Sequence, residues 1–193
     1  MTSVVLTYDA TDEVDALMMT LSYCEELAIE TREGSFRLVL EKEDGEIIEN
    51  PHTAFLYASR LAHTLPSNAL QFARVHAWIE EERAMLQDWD HAKRAHFSGA
   101  AMARVVLPVL HRLEADLSET QARWLGGFEV STAADFCWIA RLKLLRDCTP
   151  NVLQRLPKLR AYATRDPSKD YRDEDSDASS EDEADDEADG GGA

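Results

Sequence analysis

Trp124-Leu125-Gly126-Gly127-Phe128-Glu129-Val130-Ser131-Thr132-Ala133-Ala134-Asp135-Phe136 carries a glycine turn into the start of a helix. Thr132 followed three residues later by Asp135 is a capping-box pattern. In such a box the threonine hydroxyl accepts from the backbone N–H at Asp135, while the carboxylate accepts from the N–H at Thr132. The predicted helix then reads Ala-Ala-Asp-Phe-Cys-Trp-Ile-Ala-Arg-Leu-Lys-Leu-Leu over 133–145. It is apolar on nearly every side, as a helix is when it runs through the middle of a helical domain. Upstream, Val75, Trp78, Ile79, Leu86 and Trp89 form one stripe at helical spacing, and Met102, Val105, Val106, Val109, Leu110, Leu113 and Leu117 form another. Both read as core stripes rather than cofactor sites. Pro108 is expected to kink the second helix or divide it in two. The capped helix extends to about Asp147, and Pro150 and Pro157 punctuate a short last helix carrying Leu159, Arg160 and Tyr162.

The first 64 residues have a different grain. Val4 to Tyr8 is a β-branched and apolar run that predicts a strand. A turn at Asp9 to Thr11 leads to Val14, Leu17, Met18 and Leu21 at helical spacing, through about Cys24. Ala28 to Arg32 and Phe36 to Leu40 read as two strands joined by the tight turn Glu33-Gly34-Ser35, and Asp44-Gly45 as a hairpin turn into Glu46-Ile47-Ile48. Asn50 is a good N-cap with Pro51 at the first helical position, and Phe55, Leu56, Ser59 and Ala62 continue that face. The predicted order is β-α-β-β-β-α, with Leu65-Pro66-Ser67-Asn68 as the linker into an all-helical region.

Composition narrows the function classes. The chain has 193 residues with a net charge of −17, and from Arg172 onward eleven acidic residues stand against one arginine, so this tail contributes −10 and the rest −7. Residues 168–193 are expected to be a disordered acidic tail, either solubilising or a docking surface for a basic partner. Ser179 and Ser180 each have an acidic residue three positions later, a setting for phosphorylation. Direct nucleic-acid binding is disfavoured because no concentration of Lys and Arg is present. No apolar run reaches membrane-spanning length, and no signal peptide is expected. Cys24, Cys137 and Cys148 are an odd set without a C-x-x-C pair, which fits a reducing compartment, the cytoplasm or also the nucleus. Cys24 lies at a helix end beside Glu25 and Glu26, a poor setting for a redox nucleophile. His91 and His96 are five apart, and His52, His63, His76 and His111 are scattered singly, so no metal site is expected.

The run from Trp124 through the Thr132/Asp135 cap, with the β-α-β-β-β-α unit before it, resembles the glutathione transferase-like superfamily over residues 1 to about 165. The resemblance implies a thioredoxin-like domain at 1–64, an all-helical domain at 69–165, and a glutathione site in the first. That site would place its catalytic hydroxyl at Thr7 or Tyr8, depending on register, and the γ-glutamyl carboxylate at Glu49 and Asn50. This chain departs from the pattern. No proline occurs between Met1 and Asn50, so the family's cis-proline is absent, and the Glu33–Ser35 turn leaves no room for the family's second helix.

A shortened thioredoxin-like half of this kind is most similar to the non-catalytic transferase-like domains of glutamyl-prolyl-tRNA synthetase, the synthetase-complex scaffold proteins and elongation factor 1 subunits. Asp44 to Ala62 and Val75-His-Ala-Trp-Ile-Glu-Glu-Glu82 carry that similarity. It implies a scaffold without cofactor that pairs with other transferase-like domains or with a second copy of itself, and it places Arg160 and Tyr162 of the last helix at an interface. The alternative is a glutathione-dependent transferase or peroxidase using Tyr8 or Thr7.

Overall fold

The computed structural model describes residues 2–8, 14–22, 24, 27–41, 47–95, 99–148, 151–167 and 169. The expected turns at Asp9 to Thr11 and Asp44-Gly45, Pro150 and the acidic run from 170 onward lie outside them.

Strand β1 (Thr2–Tyr8) leads to helix α1 (Asp15–Leu21), then to β2 (Leu27–Glu33), β3 (Arg37–Glu41), β4 (Ile47–Ile48) and helix α2 (Pro51–Leu61). The sheet order is β2-β1-β3-β4. β1 runs parallel to β2 with Tyr8 opposite Glu33, and antiparallel to β3 with Thr7 opposite Arg37; β4 pairs antiparallel with β3. The short link between β2 and β3 is therefore not a hairpin: it steps over the end of β1, which lies between them. Alternation puts Val4, Leu6 and Tyr8 on one face. Val4 and Leu6 are buried there against Leu17 and Leu21 of α1 and Ala54 and Ala58 of α2, with Tyr8, Ile29 and Ile48 partly buried at the margin.

The rest is helical: α3 (Ala69–Arg94), α4 (Gly99–Glu119), α5 (Ala133–Cys148) and α6 (Pro157–Tyr162), with single 3₁₀ turns at Leu125–Gly127 and Leu153–Arg155. Asn68, the last linker residue, opens α3 by accepting from the N–H groups of Leu70 and Gln71 at 3.0 and 3.2 Å. The α3 stripe departs slightly from expectation. Val75, Ile79, Met85, Trp89 and Ala92 are buried, while Trp78 is only partly so. The same face also buries Glu82, whose carboxylate meets Arg141 of α5 at 2.6 Å. Pro108 does not divide α4, which continues unbroken through it. Pro108 and Arg104, whose carbonyl loses its usual i+4 donor, are both exposed.

α5 is the central helix. Every residue from Ser131 to Ala140 is buried, and the Trp138 indole N–H donates to the Trp78 carbonyl at 2.9 Å. α1 packs on α5, and Phe55 of α2 belongs to the large helical core with Ala16 and Met19 packed against it. The large helical core thus takes in Phe55 of α2 and borders α1, while the residues between the sheet and α1/α2 form a second, smaller cluster. Among the described residues no helix is long and apolar enough to cross a membrane.

Candidate functional site

The end of β1 and the start of α2 are where the family resemblance would put a glutathione site. At the end of β1, the Gly34 N–H donates to the Tyr8 carbonyl at 3.0 Å. Gly34 has φ of +154°, and a Cβ there would lie 2.9 Å from Cγ2 of Thr7. The backbone of the β2–β3 link is therefore laid directly on Thr7, and only glycine fits. Thr7 and Tyr8 are half-buried, and Tyr8 packs toward the apolar cluster between the sheet and α1/α2. No helix intervenes between β2 and β3, all of whose connecting residues are described.

At the start of α2, Asn50 adopts extended backbone, and its side-chain oxygen accepts from the Thr53 N–H at 3.0 Å and from the Thr53 hydroxyl at 3.3 Å. That is the N-cap the sequence predicts. It also commits the carboxamide oxygen to the chain's own helix. Glu49 is exposed beside it. No cis peptide bond occurs among the described residues.

The start of α5 gathers more of the chain than a single cap. The Asp135 carboxylate accepts from the Thr132 N–H at 2.7 Å and the Leu125 N–H at 3.0 Å. It also accepts from the Tyr162 hydroxyl at 2.7 Å. The Thr132 hydroxyl donates to it at 2.9 Å. This corrects half of the expected capping box. The carboxylate does reach the Thr132 N–H, but the hydroxyl donates to the carboxylate instead of accepting from the Asp135 N–H, which bonds the Thr132 carbonyl at 2.8 Å. A buried anion draws every available donor, and a hydroxyl has one to give. Burial pushes the Asp135 carboxyl up to about 6, against the hydrogen bonds from Tyr162, Leu125 and Thr132 that hold it down. Around it, the Ala133 N–H donates to the Thr64 carbonyl of the inter-half connection at 3.0 Å, and the Ser131 hydroxyl donates to the Pro167 carbonyl at 2.7 Å. One helix start thus ties together the linker, the glycine turn, α6 and the segment after it.

α6 separates the two residues expected at an interface. Arg160 is exposed, but Tyr162 is fully buried, its ring edge-on to Trp124 at 6.2 Å and its hydroxyl on Asp135. Tyr162 has no surface in this chain to offer a partner; it anchors the helix that displays Arg160. Two expectedly scattered histidines also come together: His52 of α2 lies 3.2 Å from the Glu80 carboxylate of α3, His76 lies 4.0 Å from it, and Arg83 holds its other oxygen at 2.7 Å. Desolvation pushes His52 down, with Glu80 opposing. Spacing within α3 (76, 80, 83) was the only signal of this cluster; His52 arrives through the tertiary fold. No group of His, Cys, Asp and Glu among the described residues could hold a metal ion. Burial pushes the Cys24 thiol up, which opposes thiolate chemistry.

No family model and no curated protein matches this chain. Solved structures do. The pi-class glutathione S-transferase of Onchocerca volvulus is 15% identical, with a TM-score of 0.71 over 91% of this chain and 94% of that one. Ure2p in complex with glutathione is 11% identical, with a TM-score of 0.69 over 86% and 91%. The chain has the glutathione transferase fold. Maleylacetoacetate isomerase from Anaeromyxobacter dehalogenans, with dicarboxyethyl glutathione and citrate bound in its active site, adds a third likeness at 14% identity, TM-score 0.69, over 87% and 90%. At such identities the likeness carries the glutathione transferase fold alone. Within that fold, the thioredoxin-like half here is reduced to β-α-β-β-β-α by the Gly34–Phe36 link, and the helical half keeps its central capped helix.

Proposed function

We propose that this chain is a non-catalytic glutathione transferase-like protein–protein interaction module. Its role is that of an assembly scaffold or adaptor of the translation machinery, in aminoacyl-tRNA synthetase or elongation factor 1 complexes. The observation that carries the reading is the link from Gly34 to Phe36. Three residues replace a helix, and the first of them, Gly34, lies against Thr7 and bonds the Tyr8 carbonyl, where a glutathione thiol would have to be received. The module works without a cofactor, in the cytoplasm and also the nucleus, and its partners are other transferase-like domains or a second copy of itself. Arg160, exposed on α6 and backed by buried Tyr162, is the residue we assign to one interface.

The test is pairwise binding of the purified chain to purified transferase-like domains of synthetases and elongation factor 1 subunits, with sedimentation of the chain alone alongside. Micromolar or tighter binding that weakens at least about tenfold in Arg160→Ala, about 1.4 kcal/mol, is the expected result. Failure to bind any of them, together with a monomer in sedimentation, refutes the reading. The alternative, a glutathione-dependent transferase or peroxidase using Tyr8 or Thr7, is favoured by one observation, that proteins of the same fold were solved with glutathione or a glutathione adduct bound.

A further inference from the structure

A cleft of about 650 Å³ opens between the C-terminal end of α4, the turn at 121–123 and α6. Arg123, Lys158 and Arg165 line it, with Ser118 and Gln121 as neutral hydrogen-bonding groups, and none of its lining residues is acidic. Three cations around one cleft run against the sign of the chain, whose residues before Arg172 sum to −7. Aromatic faces help set two of them: the Arg123 guanidinium lies 5.4 Å from the Trp124 ring centre, and that of Arg165 lies 5.8 Å from Trp124 and 5.6 Å from Tyr162. Glu114 accepts from the Lys158 and Leu159 N–H groups at 3.1 and 2.7 Å, and Asp116 accepts from the Gly126 N–H at 2.8 Å.

We propose that this cleft is the docking site of the chain's own acidic run, residues 173–189. Charge complementarity and chain length carry the assignment. The run holds eleven carboxylates and no cation. It begins eight residues beyond Arg165, itself part of the cleft wall, and eight residues span at most about 28 Å. A tethered segment meets its site at an effective concentration in the millimolar range, so contacts too weak to hold a free peptide are populated within one chain. Arg123 and Lys158 are exposed, so the contact is salt-sensitive. The docking itself does not rest on the adaptor reading.

The experiment is zero-length carbodiimide cross-linking of the full chain at low micromolar concentration, followed by trypsin and mass spectrometry, with an equal mixture of light and isotope-labelled protein. No Lys or Arg follows Arg172, so the run is released as a single peptide, 173–193. Exposed Lys143 of α5, which does not line the cleft, is the internal reference. The expected result is Lys158 joined to that peptide within single chains, at least about five times more than Lys143, at about 50 mM NaCl. It falls at least about fivefold at about 500 mM NaCl and in Arg123→Glu. Equal labelling of Lys158 and Lys143, or indifference to Arg123→Glu, overturns the proposal. Cross-links only between light and labelled chains overturn it in favour of a second copy's acidic run.

Discussion

Tyr162→Phe removes one oxygen and keeps the ring. The lost hydroxyl donates at 2.7 Å to a fully buried carboxylate, Asp135, so a charge-assisted bond disappears while the edge-on packing on Trp124 stays. Hydrogen bonds to charged groups contribute about 1.5–3 kcal/mol. Three donors remain, the Leu125 and Thr132 N–H groups and the Thr132 hydroxyl, which places the expected loss near about 2 kcal/mol, or roughly 4–8 °C in Tm for a domain of this size. The pH dependence distinguishes this bond from general packing loss. With its carboxyl at about 6 in the folded protein and near 3.8 unfolded, Asp135 binds a proton more tightly when folded. Its contribution to stability is therefore greatest at low pH and falls as pH rises from about 4 through about 6. Removing Tyr162's bond takes away one of the interactions holding the carboxyl down and pushes it further up. The deficit of the variant is then larger at about pH 7.5 than at about pH 5, where the native protein already carries much of the proton. Urea denaturation of both proteins at the two pH values measures it. A deficit below about 0.5 kcal/mol, or one that is equal or larger at pH 5, refutes the reasoning.

In the glycine turn, Gly126→Ala should cost about 1–2 kcal/mol more than Gly127→Ala in urea melts. Both have positive φ, +72° and +80°, but the new Cβ at 126 lies 2.9 Å from the Phe128 ring, while at 127 its nearest neighbour is Thr120 at 3.5 Å. Glu82→Ala should cost about 3 kcal/mol by stripping a carboxylate from Arg141, since both side chains are only 11% exposed, and the double change Glu82→Leu with Arg141→Leu should recover most of it in the same assay. Asn50→Ala should lower stability by about 1 kcal/mol through loss of the α2 cap, and Asn50→Ser should be nearly neutral.

The local signals in the sequence were strong where a residue's partner lies within a turn or a few positions along one helix. The Asn50 cap, the Thr132/Asp135 pairing and the stripe on α4 are of that kind, and each helix they announced is present. What pattern could not supply was the partner from elsewhere. Asp135 looked like a local cap residue, yet two of its donors come from Leu125 and Tyr162, ten and twenty-seven positions away. Tyr162 looked like a neighbour of Arg160 on a surface because six residues of helix do not say which side faces inward. Glu82 reads as a solvated charge until Arg141 is brought across from α5. For the candidate site, the three-residue link after β2 was legible as a missing helix, but its path over β1, onto Thr7 and Tyr8, required the sheet order.

The claim that this fold no longer serves glutathione is tested most directly by calorimetric titration of the full chain with glutathione at millimolar concentration, with a thiol-conjugation assay on the same sample. The account predicts no saturable heat and no turnover above the uncatalysed rate. Saturable binding with turnover lost in Tyr8→Phe or Thr7→Val would contradict it and make the chain a working transferase.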